Sequence, residues 1–225
     1  MAPQPRLQLQ LRPARASDIA DMVASIFSSF ATNAIHTRLF PASLAASQDF
    51  WRAFAADAVD DLRAHCIVAE DLTAASPSAF VGFALWRPPA DTTKEEEEKE
   101  DPPFDWTAWP VDSELAAAFF GALADRHAAL MGARPHWYLE FACVTPALQR
   151  RGAGAALVRW GVDRADADGV EAYLDATPDG TRLYERFGFC TAEVVEFMGG
   201  EYRQCFMPRP KRETETKTER GANGM

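Results

Sequence analysis

The chain has 225 residues, 48% of them hydrophobic, which is enough to bury one sizeable core and short of the usual length for two independent domains. A formal net charge of −10 and a pI near 4.9 argue against a nucleic-acid binder, whose main attraction runs from Lys and Arg to phosphate, and leave room for a cationic partner. No stretch approaches the ~20 apolar residues of a membrane span and no apolar leader is visible, so a cytoplasmic setting without membrane contact is expected.

Leu7 to Leu11 alternates apolar and polar, the period of a half-buried strand, and Pro13 is expected to end it. Ser17 then reads as the N-cap of an amphipathic helix carrying Ile19, Met22, Val23, Ile26 and Phe27, and a second helical pattern spans about Phe50 to Leu62. His65–Ala69 and Phe80–Trp86 form a predicted hairpin around the turn-rich Leu72–Ser78. An acidic, proline-bracketed insertion at about 90–104, with Lys94 to Asp101 at its centre, reads as solvated. A helix is expected from about Asp112 to Met131.

From His136 the pattern alternates: strand Trp137–Val144, helix Gly152–Asp166, strand Val170–Leu174, helix Asp179–Phe187, the signature of a βαβ crossover. Phe189–Phe197 and Tyr202–Met207 read as a closing antiparallel pair. Residues 1–208 are expected to be one domain of mixed α/β class, and 209–225 a disordered polar tail.

Cys66, Cys143, Cys190 and Cys205 are far apart, and the four histidines are equally scattered, so neither a metal site nor a disulfide framework is expected. The chemistry-bearing stretch is Val144 to Val158. Pro146 stops the strand and Gly152 and Gly154 open a helix, whose unpaired N–H groups suit a phosphate. Arg150 and Arg151 concentrate positive charge there. A small-residue helix start packed on the sheet explains the glycines equally well. A dinucleotide fold would use Asp175 as its ribose carboxylate, but Leu157 stands where the third glycine of G-x-G-x-x-G belongs; the Gly-Lys-Ser/Thr of a P-loop is absent.

Gln149-Arg150-Arg151-Gly152-Ala153-Gly154 resembles the Q/R-x-x-G-x-G/A phosphate loop of the GNAT superfamily of N-acetyltransferases, and Leu183 to Phe189 resembles that family's L-Y-E-x-x-G-F block. The match runs from about Trp137 to Phe189, and Trp137-Tyr138-Leu139 with the second block resembles the small-molecule branch that includes puromycin N-acetyltransferase. The resemblance implies a central, mostly antiparallel sheet splayed open and flanked by helices, with acetyl-CoA as donor, no metal, and a small amine as acceptor, which the acidic net charge allows to be cationic. It implies cofactor contacts from Ala142, Cys143, Val144, Gln149, Arg150, Arg151, Gly152, Ala153, Gly154, Ala155 and Thr177, with Thr177 alternatively capping the last helix, and it makes Tyr184 the residue that protonates or hydrogen-bonds the CoA sulfur.

Simple alternation puts Tyr138, Glu140, Ala142 and Val144 on one strand face, where Glu140 is the only carboxylate and hence the expected base. Tyr138 is the alternative, from the family's second base position. Cys143 suggests an acyl-enzyme but has no evident histidine partner, and Trp86, Trp106 and Trp109 are candidate linings of an acceptor pocket. A peptide or protein lysine acetyltransferase, a noncatalytic acyl-CoA-binding module and, more distantly, a dinucleotide-dependent oxidoreductase are the rival readings.

Overall fold

In the computed structural model, which describes residues 7–74, 79–90 and 104–212, the alternating segments assemble into one seven-stranded sheet of order β1-β2-β3-β4-β5-β7-β6. The strands are β1 Leu9–Pro13, β2 His65–Asp71, β3 Phe80–Arg87, β4 His136–Val144, β5 Glu171–Ala176, β6 Glu193–Phe197 and β7 Tyr202–Arg209. Six helices flank them: α1 Ile19–Ser29, α2 Ala34–Leu39, α3 Ala45–Asp60, α4 Ser113–Met131, α5 Ala153–Asp168 and α6 Thr181–Glu185. β4 and β5 pair in parallel, because α5 carries the chain back across the sheet between them, and the other neighbouring pairs are antiparallel.

Each sheet face buries an apolar layer. On one, Leu157, Val158, Val162 and Ala165 of α5 cover Ile67, Ala84, Trp86, Leu139 and Leu174. On the other, Met22, Ile26, Leu39, Trp51 and Ala55 cover Val68, Phe83, Leu85 and Cys143, while Met131 of α4 lies over Tyr173 and Phe206. The approach of α5 to β3 depends on Gly161: a Cβ there would lie 2.1 Å from the Trp86 ring. Trp86 is fully buried and donates its indole N–H to the Leu157 carbonyl at 3.2 Å, so this packing fixes where the N-terminus of α5 points.

Several sequence expectations shift. Pro13 is the last residue of the first strand, as expected, and still pairs with Ile67, which an edge position permits. Asp18, not Ser17, organises the entry to α1: its carboxylate accepts from the Arg15 N–H at 2.8 Å and from both Arg12 arms, at 2.7 and 2.8 Å, while Arg12 also reaches Glu70 at 2.6 Å. Burial alone would raise the Asp18 carboxyl, but these bonds hold it below its usual value. α2 was not anticipated; Asn33 caps it by accepting from the His36 N–H at 2.9 Å. The last strand runs one residue past the expected boundary at 208. Arg209 is the last residue of β7, 7% exposed, donating to the Phe187 carbonyl at 2.7 Å and pairing with Asp166 at 2.8 Å. The acidic insertion centre, Lys94 to Asp101, lies outside the described residues, as does 213–225 of the tail.

Candidate active site

β4 and β5 stay in register from His136–Glu171 to Leu139–Leu174, yet β4 continues to Val144 and β5 to Ala176. The sheet opens beyond that last pair. In an antiparallel ladder both backbone groups of a residue point the same way and the direction alternates. The Thr145 N–H donates to Val81 of the β3 side at 2.9 Å, so Cys143 also faces β3, whereas Ala142 and Val144 face the opening. The Val144 carbonyl there accepts from Ser29 Oγ and Gln149 Nε2, each at 2.9 Å. Of the three expected backbone contacts, Ala142 and Val144 thus offer main-chain groups to a chain lying in the opening, and Cys143 does not.

At the end of β4 the chain makes a 3-10 turn, Pro146–Leu148, then enters α5 through two left-handed residues, Arg150 at φ 60° and Gly152 at φ 105°. The first helical bond runs from the Ala156 N–H to the Gly152 carbonyl at 3.0 Å, so the N–H groups of Ala153, Gly154 and Ala155 precede the ladder. A Cβ on Gly152 would touch nothing within 4 Å, so the space above the helix end is open. A Cβ on Gly154 would come 3.2 Å from Leu183 Cδ2, giving that glycine a packing role against α6 as well. Arg150 is exposed and Arg151 half-buried. Free helix N–H groups, an open approach and two guanidinium groups fit a pyrophosphate.

Tyr184 of α6 stands across the opening from β4. Burial pushes its hydroxyl up to about 12, with the neighbouring Cys143 adding to the effect, so it keeps its proton at neutral pH. Among the described residues its hydroxyl makes no hydrogen bond. The Cys143 thiol, buried and also pushed up to about 12, lies 3.3 Å from Ser25 Oγ. A thiol so held is a poor nucleophile, and an acyl-enzyme through Cys143 finds no support.

The arrangement has counterparts. The model of the Acetyltransferase (GNAT) family matches residues 48–189, more than half of the chain. The chain belongs to the GNAT family. Solved GNAT-like structures share its fold at low identity. A histone acetyltransferase HPA2 and related acetyltransferase from Corynebacterium glutamicum is 21% identical over 92% of this chain and 98% of that one, with a TM-score of 0.59. A mosquito arylalkylamine N-acetyltransferase like 5b is 16% identical over 90% and 100%, at 0.56. The C-terminal condensation domain of Ebony, in complex with beta-alanyl-dopamine, is 13% identical over 91% and 99%, at 0.62. The dinucleotide reading falls with the sheet: one parallel pair among antiparallel ones is no doubly wound fold.

In this GNAT chain the face expected to hold Tyr138, Glu140, Ala142 and Val144 together is broken, because β4 carries a bulge. Leu85 pairs with Phe141 and Trp86 with Leu139, leaving Glu140 as the extra residue. Leu139 and Ala142 therefore share the α5 face, while Tyr138 and Phe141 lie on the other. Glu140 is engaged by Arg87 Nε, and Arg87 Nη1 reaches Asp61 at 2.7 Å. Tyr138 gives its hydroxyl hydrogen to Asp175 Oδ2 at 2.9 Å, and Tyr173 donates to Asp175 Oδ1 at 2.7 Å. Asp175, considered from sequence only as a ribose ligand, is thus the centre of a polar cluster on the face opposite α5. A carboxylate in two-residue step with Tyr173 at the end of a strand was the available signal.

Thr177 follows β5 on the far side of the opening. It does not cap α6 with its side chain; Gly180 is the N-cap, and its N–H donates to the Thr177 carbonyl at 3.0 Å. Trp86 is excluded from any acceptor lining, being sealed beneath α5. Trp109 is also buried, donating to the Leu39 carbonyl at 2.8 Å. Trp106, stacked on Phe120 at 3.7 Å, and the half-exposed Phe104 border solvent. Among the described residues no group of acidic, histidine and cysteine side chains is arranged to hold a metal, and no helix is long and apolar enough to cross a membrane.

Proposed function

We propose that the protein transfers acetyl from acetyl-CoA to the primary amine of a small molecule, by direct attack in a ternary complex, in a cytoplasmic setting. The observation that carries the reading is the left-handed turn at Arg150 and Gly152, which aims the open end of α5 at the mouth of the β4–β5 opening. Gln149 to Ala155 hold the pyrophosphate of the donor by backbone N–H groups and arginine charge. Ala142 and Val144 hold its pantetheine arm as an added strand, Gln149 and Ser29 releasing the Val144 carbonyl to it. Cys143 flanks the arm between those two residues, and Thr177 meets it from just beyond the end of β5. Tyr184 protonates the departing sulfur, for which a hydroxyl that keeps its proton is suited. Glu140, fastened to Arg87, supplies a fixed negative charge beside the opening. Aromatic rings at Trp106 and Phe104 favour a small acceptor, a preference in keeping with the resemblance to the small-molecule branch and with the amine chemistry in the names of the mosquito and Ebony structures.

The test is a thermal-shift series with acetyl-CoA, CoA and nicotinamide dinucleotides, followed by thiol release over a panel of small amines and lysine peptides. Ligand at 100 times its dissociation constant stabilises by about 2.7 kcal/mol, a readily measured shift. Stabilisation by CoA with thiol release on small amines is expected. Stabilisation by a dinucleotide alone, or by CoA without release on any amine, would sink the proposal; release on peptides alone would move it to the lysine acetyltransferases.

A further inference from the structure

Asp18, Asp61, Glu140 and Asp166 are each paired with an arginine: Arg12, Arg87, Arg87 and Arg209. Asp175 is different. Its two carboxylate oxygens accept from two neutral donors, Tyr138 at 2.9 Å and Tyr173 at 2.7 Å, and no Lys or Arg pairs with it among the described residues. It sits one position past Leu139–Leu174, where the sheet opens, half-buried and on the face away from α5. Tyr184 packs against the α5-side layer, whereas Asp175 and its tyrosines lie on the opposite face at the same opening.

The groups around Asp175 leave it short of positive charge. Its own partners are Tyr138 of β4 and Tyr173 of β5; Glu140 bears on the first, and Glu193 of β6, which Arg126 of α4 holds at 2.6 Å, on the second. His127 of α4 stacks on Tyr173 at 4.5 Å with 7° between the rings and shares a 2.7 Å hydrogen bond with His136. Burial lowers His127 to about 4, so it is neutral at pH 7. Burial lifts the Asp175 carboxyl to about 6 against the pull of its two tyrosine bonds. A proton acceptor near the working pH is the most effective one.

Resting on the acetyltransferase reading, we propose that Asp175, gripped by Tyr138 and Tyr173, takes the proton from the incoming amine, and that this amine is an alkylammonium ion. The ammonium proton passes to Asp175. The freed nitrogen lone pair forms the C–N bond to the acetyl carbon, and the C–S bond breaks with its electron pair on sulfur. Tyr184 protonates that sulfur and regains a proton from the new amide nitrogen. Asp175 then returns its proton to solvent, so one proton is released per turnover, as conversion of an ammonium and a thioester to an amide and a thiol requires. Glu140 stays with Arg87 throughout.

The experiment pairs Asp175→Asn with Glu140→Gln. Independently of turnover, carboxyl carbon NMR of the CoA complex should show one aspartate titrating near pH 6 that vanishes in Asp175→Asn. With a primary alkylamine, Asp175→Asn should lose about 10²-fold or more in kcat/KM. It should also lose the acid limb of the pH profile, keep the CoA dissociation constant, and lose under tenfold with an arylamine that is neutral at assay pH. Glu140→Gln should keep the shape of the profile. An Asp175 that titrates below pH 4.5, or an equal loss on both amines with an unmoved profile, would overturn the proposal while leaving the acetyltransferase reading intact. CoA stabilisation with no turnover on any amine would instead remove that reading, and this role with it.

Discussion

Gly152→Ala separates a phosphate cradle from an ordinary tight helix start. At φ 105° the residue lies well outside the left-handed well near +57° that L-residues tolerate, so alanine held there carries strain of about 1–3 kcal/mol. The added Cβ would meet nothing within 4 Å, which leaves backbone strain as the whole effect in the free protein. That strain can relax by turning the Gly152 peptide, at the expense of the alignment of the N–H groups of Ala153, Gly154 and Ala155. Bound pyrophosphate needs the alignment restored, so the 1–3 kcal/mol should appear as a roughly 5- to 150-fold weaker CoA dissociation constant. Titration calorimetry with CoA, beside a melt of the free protein, reads both quantities. Gly154→Ala is the comparison: its Cβ meets the flexible end of Leu183 at 3.2 Å and Val144 Cγ2 at an ordinary 3.9 Å, and the effect should be smaller. Folded Gly152→Ala protein that binds CoA as the parent does would refute the cradle.

Gly161→Ala should destabilise by about 1–3 kcal/mol although alanine is the better helix former, since its Cβ falls 2.1 Å from the Trp86 ring; denaturant unfolding would show this, and a gain in stability would contradict the α5–β3 packing. Tyr184→Phe should reduce kcat by about 10²-fold with little change in CoA affinity, and near-normal single-turnover rates would remove it from the reaction. Asp175 also makes a stability prediction. Its folded value of about 6 exceeds the unfolded 3.8, so its contribution is complete below pH 3.8 and lost as pH rises through 6. The shift corresponds to about 3 kcal/mol, which partial solvent access lowers toward about 1–2 kcal/mol. Unfolding curves of the parent and Asp175→Asn should therefore diverge between pH 4 and 6, with the variant gaining relative to the parent; parallel curves would show the carboxyl to be unperturbed.

What could be read from the chain alone depended on how local its cause was. The helix entry at Gly152 was legible because a left-handed residue before a run of small apolar ones demands glycine wherever the chain goes next. The closing pair β6 and β7 was legible from alternation, but Arg209 was lost to the tail, since what buries it is Asp166 and Phe187, 43 and 22 positions earlier. α2 went unread because six residues are too few for a periodic signal.

The face of Glu140 was illegible for a deeper reason. Alternation presumes an unbroken ladder, and whether β4 bulges is decided by its partner: Leu85 meets Phe141 while Trp86, fixed beneath α5 at Gly161, meets Leu139. Tyr138 and Leu139 alternate as usual, but the extra residue shifts the phase after them, so Ala142 and Val144 join Leu139 on the α5 face and the expected face of Tyr138, Glu140, Ala142 and Val144 never exists. The consequence reaches the chemistry. With Tyr138 turned away from α5, its hydroxyl spans to Asp175, 37 positions along, and Glu140 falls to Arg87. A carboxylate with one partner on its own strand and one on the next is defined by the pairing of the two strands, and that pairing ends at Leu139–Leu174, just where β4 and β5 separate.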